Sequence, residues 1–154
     1  NIESRVGTSN ILQRDEIFDT ILYIDVLEHI CDDAAELRTV SKNLALNGYL
    51  IIIAPAHNFL FSEFDRNIGH FRRYDRKSLA LIKPENCEVV KLMYLDSVGL
   101  IASLGNRFVL KSGAPTIAQI WLWDTFMIRL SRAFDRILRY RLGKSIVCIL
   151  KKTG

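Results

Sequence analysis

Two short, unbroken apolar runs bracket a segment of helical length, and this arrangement restricts the fold more than any other feature of the chain. Phe18–Ile24 reads FDTILYI and stops at Asp25; residues 49–54 read YLIIIA and stop at Pro55. Short runs rich in β-branched and aromatic residues are the pattern of buried strands. Between them, Asp32-Asp33 offers a helix N-cap, with Glu36 placed as a capping-box partner of Asp33. The spacing predicts a helix running to about Leu46, with Ala35, Leu37, Val40 and Leu44 facing a sheet and Asn47-Gly48 ending it. Strand, helix and strand with short joints form a βαβ unit, whose strands lie parallel with a right-handed crossover. Functional side chains in such sheets gather beyond the carboxyl ends of the strands. Here those ends are residues 25–29 and 55–61.

The rest of the chain extends this pattern. A polar and aromatic loop covers residues 57–74, a short helix is expected at about Arg76–Ile82 with Pro84 breaking it, and Cys87–Leu95 reads as a third strand. Residues 99–113 fit no single pattern. Pro115 opens a long helix over about residues 116–140, Gly143 closes it, and residues 144–151 read as a last strand. With 154 residues, 49% of them hydrophobic and 25% charged, the chain has the composition of one globular domain. A net charge of +4 permits acidic substrates or anionic membranes without demanding them. Cys31, Cys87 and Cys148 are odd in number and lack metal-ligand spacing, so buried free thiols in a reducing cytoplasm are expected. No apolar run reaches the length of a bilayer span.

Three groups of residues could carry chemistry. Asp25, Val26, Leu27, Glu28 and His29 follow directly on a strand end, where they either face a ligand crevice or cap the loop. The segment Gly69-His70-Phe71-Arg72-Arg73-Tyr74 packs an imidazole, two guanidiniums and a phenol into one loop. Arginine forks bind carboxylate or phosphate, and His70 suits general-base work. In the alternative reading the arginines pair with Asp65 or Asp75 and the loop is a solvated basic surface. The third group lies on the long helix. Ile120, Trp123, Met127, Leu130, Phe134 and Ile137 share one face, and Arg129, Arg132, Arg136 and Arg139 share another. That pattern fits a core-packed helix with a solvated cationic side, and it also fits a surface helix on an anionic membrane or over a lipid-like substrate. The stripe lacks the aromatic interleaving of single-strand nucleic-acid binders, so no nucleic-acid partner is expected. The sequence has no glycine-rich phosphate loop, no serine nucleophile elbow and no zinc signature, and no residue is assigned to a metal.

FDTILYIDVLEHI, an acidic helix start and NGYLIIIAPA together resemble the fourth and fifth strands of class I, Rossmann-like S-adenosylmethionine-dependent methyltransferases. GHFRRY with the short helix after it resembles the loop beyond the fifth strand in many bacterial small-molecule members, and KSIVCILK resembles the final strand. The resemblance implies a partial α/β methyltransferase fold: a mostly parallel sheet, an antiparallel last strand, a long helix before it, and residues 1–154 as the C-terminal portion of one domain. It implies methyl transfer by direct displacement from S-adenosylmethionine to a small-molecule acceptor, such as a sugar, lipid-linked or quinone-like compound. It places Asp25, Val26, Leu27 and, in the segment Gly7-Thr8-Ser9, Thr8 beside the cofactor. His29 and His70 become candidate catalytic bases, and His57, Arg72, Arg73 and Tyr74 fall on the substrate side.

The family's glycine-rich turn and its ribose-binding acid have no counterpart in these residues, so truncation or processing is expected, as is poor binding of S-adenosylmethionine by the isolated chain. The family strand order is 3-2-1-4-5-7-6. Without the first strands, Phe18–Ile24 would need another cover, a second copy of the chain in a homodimer being one candidate. Two alternatives stay open beside the enzyme: a non-catalytic binding or scaffolding domain on the same fold, and a module peripheral to the inner membrane.

Overall fold

A computed structural model describes residues 8–105 and 126–154. The described strands are β1 (Phe18–Ile24), β2 (Leu44–Pro55), β3 (Cys87–Leu95) and β4 (Ser145–Lys152). They form one sheet in the order β1-β2-β4-β3. β1 and β2 pair in parallel, and β4 runs antiparallel to both β2 and β3. Three strands therefore point one way and the last opposes them, as expected. The described α-helices are α1 (Asp33–Val40), α2 (Glu63–Asn67), α3 (Arg76–Ile82), α4 (Ser97–Gly105) and α5 (Ile128–Ile137).

One sheet face makes the core. Leu50, Ile52 and Ala54 of β2 lie opposite Leu150, Cys148 and Ile146 of β4, and all six are 1% exposed or less. Leu37 and Val40 of α1 and Leu79 of α3 are buried in the same cluster. Each such aliphatic side chain contributes roughly 1.5–3 kcal/mol by leaving water.

Several expectations are corrected. α1 stops at Val40, and after a 3-10 turn at Ser41–Asn43 the chain is already in β2 at Leu44. Asn47-Gly48 does not end a helix; it forms an irregularity inside the strand. The register jumps from Phe18 opposite Leu44 to Thr20 opposite Tyr49, and Asn47 sits at φ 66°. A side chain at Gly48 would meet the carbonyl oxygens of Ala45 and Asp19 at 2.9 Å, so this bend needs glycine. The N-cap of α1 is Asp32, which accepts from the Ala35 amide, and Glu36 instead accepts from the hydroxyls of Ser9 and Tyr23. β1 is not buried on both sides. It forms one edge of the described sheet, with Tyr23 enclosed and Leu22 and Ile24 more than half exposed.

α4 occupies part of the stretch with no clear pattern. Of the residues expected in the long helix, α5 covers Ile128–Ile137, and Pro115, Ile120 and Trp123 lie outside the described residues. Gly143 does not terminate it. Arg139 and Tyr140 do, both in the left-handed region at φ 51° and 56°. Nor is its apolar face packed in the core: Leu130, Phe134 and Ile137 are exposed, and the buried residues are Ser131 and Asp135. The cause is a polar joint between two helices. Asp135 accepts from the amides of Asp96 and Ser97 at 2.9 and 2.8 Å, and Ser131 donates to Asp96 at 2.6 Å. Cys87 and Cys148 are buried, while Cys31 is exposed.

α3 gives a clean test of a helix cap. Asp75 accepts from the Ser78 amide at 2.8 Å, and the Ser78 hydroxyl accepts from the Asp75 amide at 2.8 Å. The Ser78 amide holds the Asp75 carboxyl below its usual range. Asp75→Ala is expected to cost about 0.5–2 kcal/mol near neutral pH. A depressed folded-state pKa stabilises above the unfolded value and is lost as pH falls through the folded one. The gap between wild type and variant in urea melts should therefore close in acid; a gap that holds at low pH would mean the carboxylate is not its source.

Candidate active site

The site forms where the loops after β1 and β2 meet. β1 ends at Asp25, whose amide donates to Ile53 at 2.9 Å and whose φ of 51° turns the chain sharply into a 3-10 turn at Leu27–His29. β2 runs on past Pro55 to Ala56, which bridges Tyr74, and then turns at His57 with φ 64°. The second loop folds back through α2 and Gly69, whose φ of 84° favours glycine. A backbone bond closes the two loops on each other: the Phe71 amide donates to the Glu28 carbonyl at 2.8 Å.

Asp65 holds the second loop together. It is fully buried and caps α2 by accepting from the Ser62 amide and hydroxyl, each at 2.8 Å. Arg73 grips it through two nitrogens at 2.9 and 3.0 Å, and His70 Nδ1 lies 3.0 Å from it. Burial alone would raise this carboxyl, but the bonds from Arg73 and Ser62 outweigh it and hold the group below its usual range. Sequence reasoning anticipated an Arg–Asp pair here but missed Asp65 as an organising residue. The pattern Ser62-x-x-Asp65, a capping-box spacing, was the available signal.

The remaining predicted residues fall into two sets. His29 and His70 come together, their rings edge to face with centroids 4.6 Å apart. His29 is exposed, and the side chain of His70 is 10% exposed. Glu28 sits between the loops at 1% exposure, with Oε1 3.8 Å from His70 Nε2 and Oε2 buried without a hydrogen-bond partner. Burial raises its carboxyl above the usual range. Arg72, Arg73 and Tyr74 brace the loops. Arg72 pairs with Asp33 at 2.8 Å and donates to the Cys31 carbonyl at 2.6 Å. Tyr74 is enclosed, its hydroxyl donating to Asp33 at 2.8 Å with the Leu27 carbonyl 3.2 Å away. His57 stands apart, stacked on Tyr94 with centroids 4.9 Å apart, and burial lowers its pKa.

Of the predicted cofactor residues, Thr8 and Val26 line a groove of about 670 Å³ along the outer side of β1, together with His29 at its end. Asp25 is exposed beside it, and the Leu27 side chain is wholly buried. Gly7 lies outside the described residues. The groove is walled mainly by apolar side chains of β1 and α1. Its Glu36 is already engaged by Ser9 and Tyr23.

Neither a protein-family model nor a curated protein matches the sequence. Solved structures do match in fold. A chain from the complex between the Haloferax volcanii Trm112 methyltransferase activator and a methyltransferase is 14% identical, with a TM-score of 0.58 over 97% of this chain and 61% of that one. Coclaurine N-methyltransferase, bound to N-methylheliamine and SAH, is 16% identical with a TM-score of 0.53, over 98% of this chain and 53% of that one. The [4+2]-cyclase SpnF is 12% identical with a TM-score of 0.55, over 97% and 54%. The chain therefore has the α/β fold of class I methyltransferases, and it spans only 53% to 61% of these three neighbours' own length. That a cyclase shares the fold is a reminder that chemistry must be argued from the site.

Proposed function

We propose that the chain is the acceptor-side part of an S-adenosylmethionine-dependent methyltransferase acting on a small molecule. The observation that supports this reading is the seating of His29 against His70 where the loops after β1 and β2 meet, on a methyltransferase fold. S-adenosylmethionine supplies an already activated methyl group. Thr8, Val26, the exposed carboxylate of Asp25 and the backbone of Leu27 form the side of its pocket that this chain provides. His29, the more exposed imidazole, takes a proton from the acceptor, and His70, held by Asp65, fixes its position. Arg72, Arg73 and Tyr74 hold the loop in shape, and His57 borders the acceptor.

The test joins the chain to the coding sequence upstream of Asn1 and assays labelled methyl transfer to sugar, lipid-linked and quinone-like acceptors. Transfer is expected, with His29→Ala lowering kcat by about 100-fold or more. The 154 residues alone should give no calorimetric signal with micromolar S-adenosylmethionine. A longer product that binds cofactor and never transfers a methyl group would favour the scaffolding alternative.

A second reading, favoured by α5, adds a peripheral membrane contact. Its exposed Leu130, Phe134 and Ile137 are accompanied by Arg129, Arg132, Arg136 and Arg139 around the same helix and its end. No helix among the described residues is long and apolar enough to cross a membrane. Changing Arg129, Arg132 and Arg136 to Gln should weaken sedimentation with anionic vesicles on the order of 100-fold, from about 1 kcal/mol per basic residue. Equal sedimentation of both proteins would remove this reading. The exposed edge of β1 leaves a homodimer as the corresponding proposal there, to be read from sedimentation velocity.

A further inference from the structure

We infer that Glu28, His29 and His70 form a binding site for a first-row divalent metal ion, with the remaining coordination positions open to solvent. The three side chains come from two loops, with His29 and His70 41 positions apart, so no linear spacing reveals them. In the fold, one donor atom from each lies within 4.8 Å of the other two. A tetrahedral ion with arms of about 2.1 Å needs its donors roughly 3.4 Å apart. The Glu28 Oε1 to His70 Nε2 separation of 3.8 Å is too long for a hydrogen bond and close to that requirement.

Two further observations point to a ligand here. The first is the buried Oε2 of Glu28, which has no hydrogen-bond partner. A carboxylate oxygen buried in this way carries a full desolvation cost, which a cation removes. The second is Asp65. Its carboxylate is gripped by Arg73, so it can only accept from His70 Nδ1. That bond places the His70 proton on Nδ1 and leaves Nε2, the atom facing Glu28, with a free lone pair. A carboxylate behind a histidine in this manner is how metal-binding imidazoles are oriented. His29 supplies the third donor from the exposed side.

Two imidazoles and one carboxylate suit Zn²⁺, Co²⁺, Mn²⁺ or Fe²⁺ better than Mg²⁺ or Ca²⁺, which prefer oxygen donors throughout. An ion held by three side chains keeps room for an oxygen atom of a small molecule and lowers the pKa of a hydroxyl bound there, so with the ion in place His29 is a ligand and the lowered pKa takes over its part as base. That last step rests on the methyl-transfer reading; metal binding does not.

The experiment titrates the metal-free chain with Co²⁺ and follows its visible d–d bands. One equivalent should bind. His29→Ala, His70→Ala and Glu28→Gln should each weaken binding at least 10-fold, and Asp65→Asn about 10–100-fold. The control is Cys31→Ser, which removes an exposed thiol two positions from His29 and should bind Co²⁺ like wild type. Circular dichroism establishes that each variant is folded, and exposed His29 is the substitution least able to disturb the fold. Binding that survives His29→Ala and His70→Ala, or that disappears in Cys31→Ser, overturns the assignment, as does the absence of any one-to-one binding by wild type. If the chain binds Co²⁺ at these residues but the longer product, joined to the coding sequence upstream of Asn1, binds S-adenosylmethionine and transfers no methyl group, the enzyme reading falls and the metal site stands.

Discussion

Replacing Asp65 by alanine should cost about 3–5 kcal/mol of folding stability, the loss expected when one member of a buried ion pair is removed. Domains of this size have only about 5–15 kcal/mol in total. Five groups from three residues would lose their acceptor together: both gripping nitrogens of Arg73, Nδ1 of His70, and the amide and hydroxyl of Ser62. The guanidinium is the costly one, because the Arg73 side chain is only 10% exposed and would remain charged beside an apolar gap. Urea unfolding measures the change directly, with an unaltered m value as the sign that the unfolding unit is the same. Asp65→Asn keeps the volume and one acceptor oxygen and should lose less. A cost below about 1 kcal/mol for the alanine variant would mean that solvent screens the pair as it does at an exposed surface.

The second large effect is expected at Gly143. A Cβ there would lie 2.1 Å from the Leu95 carbonyl oxygen and 2.5 Å from its carbon, backbone atoms that cannot rotate away. The surrounding chain is pinned. The Lys144 amide donates to Asp96 at 3.0 Å, the Ala56 amide donates to Lys144 at 2.7 Å, and the Tyr94 amide donates to Tyr140 at 2.9 Å. Gly143→Ala must therefore separate the end of β3 from the start of β4 and disturb Ala56 beside the site. About 2–4 kcal/mol is expected, at the upper end of overpacking effects. Gly105→Ala is the control, since a side chain there meets nothing within 4 Å. It should stay within about 1 kcal/mol of wild type or stabilise the helix. Equal effects at the two positions would show that chain entropy, and not the contact with Leu95, sets the cost.

The strands were the most legible part of the chain. Phe18–Ile24 and Cys87–Leu95 have the predicted ends, and α3 has both of its predicted ends. These segments carry their signals locally, in unbroken apolar runs or in a cap and a following proline. Errors arose where one local signal has two uses. Asn47-Gly48 can stop a helix or bend a strand, and only pairing with β1 selects the bend. The apolar stripe of Leu130, Phe134 and Ile137 implied a buried face, yet the partner helix offers Asp96 and the amides of its first turn, so Ser131 and Asp135 point inward. At the site, the histidines and arginines were visible as unusual loop residues. What could not be read was their division of labour. Arg72, Arg73 and Tyr74 are tied to Asp33 and Asp65. Glu28, which resembled a loop cap, is among the most deeply buried side chains.

The joint between α4 and α5 has a mechanical consequence. Both oxygens of Asp135 are committed to amides at the start of α4, and Ser131 closes the same ring through Asp96. Opening one helix without the other would strand a buried carboxylate and two amides at once. The pair is then expected to move as one plate, and among the described residues it joins the sheet at Leu95 and Ser145, which lie opposite each other. A rearrangement of this plate would reach the loop beyond β2, at the same end of the sheet, through the Ala56–Lys144 bond.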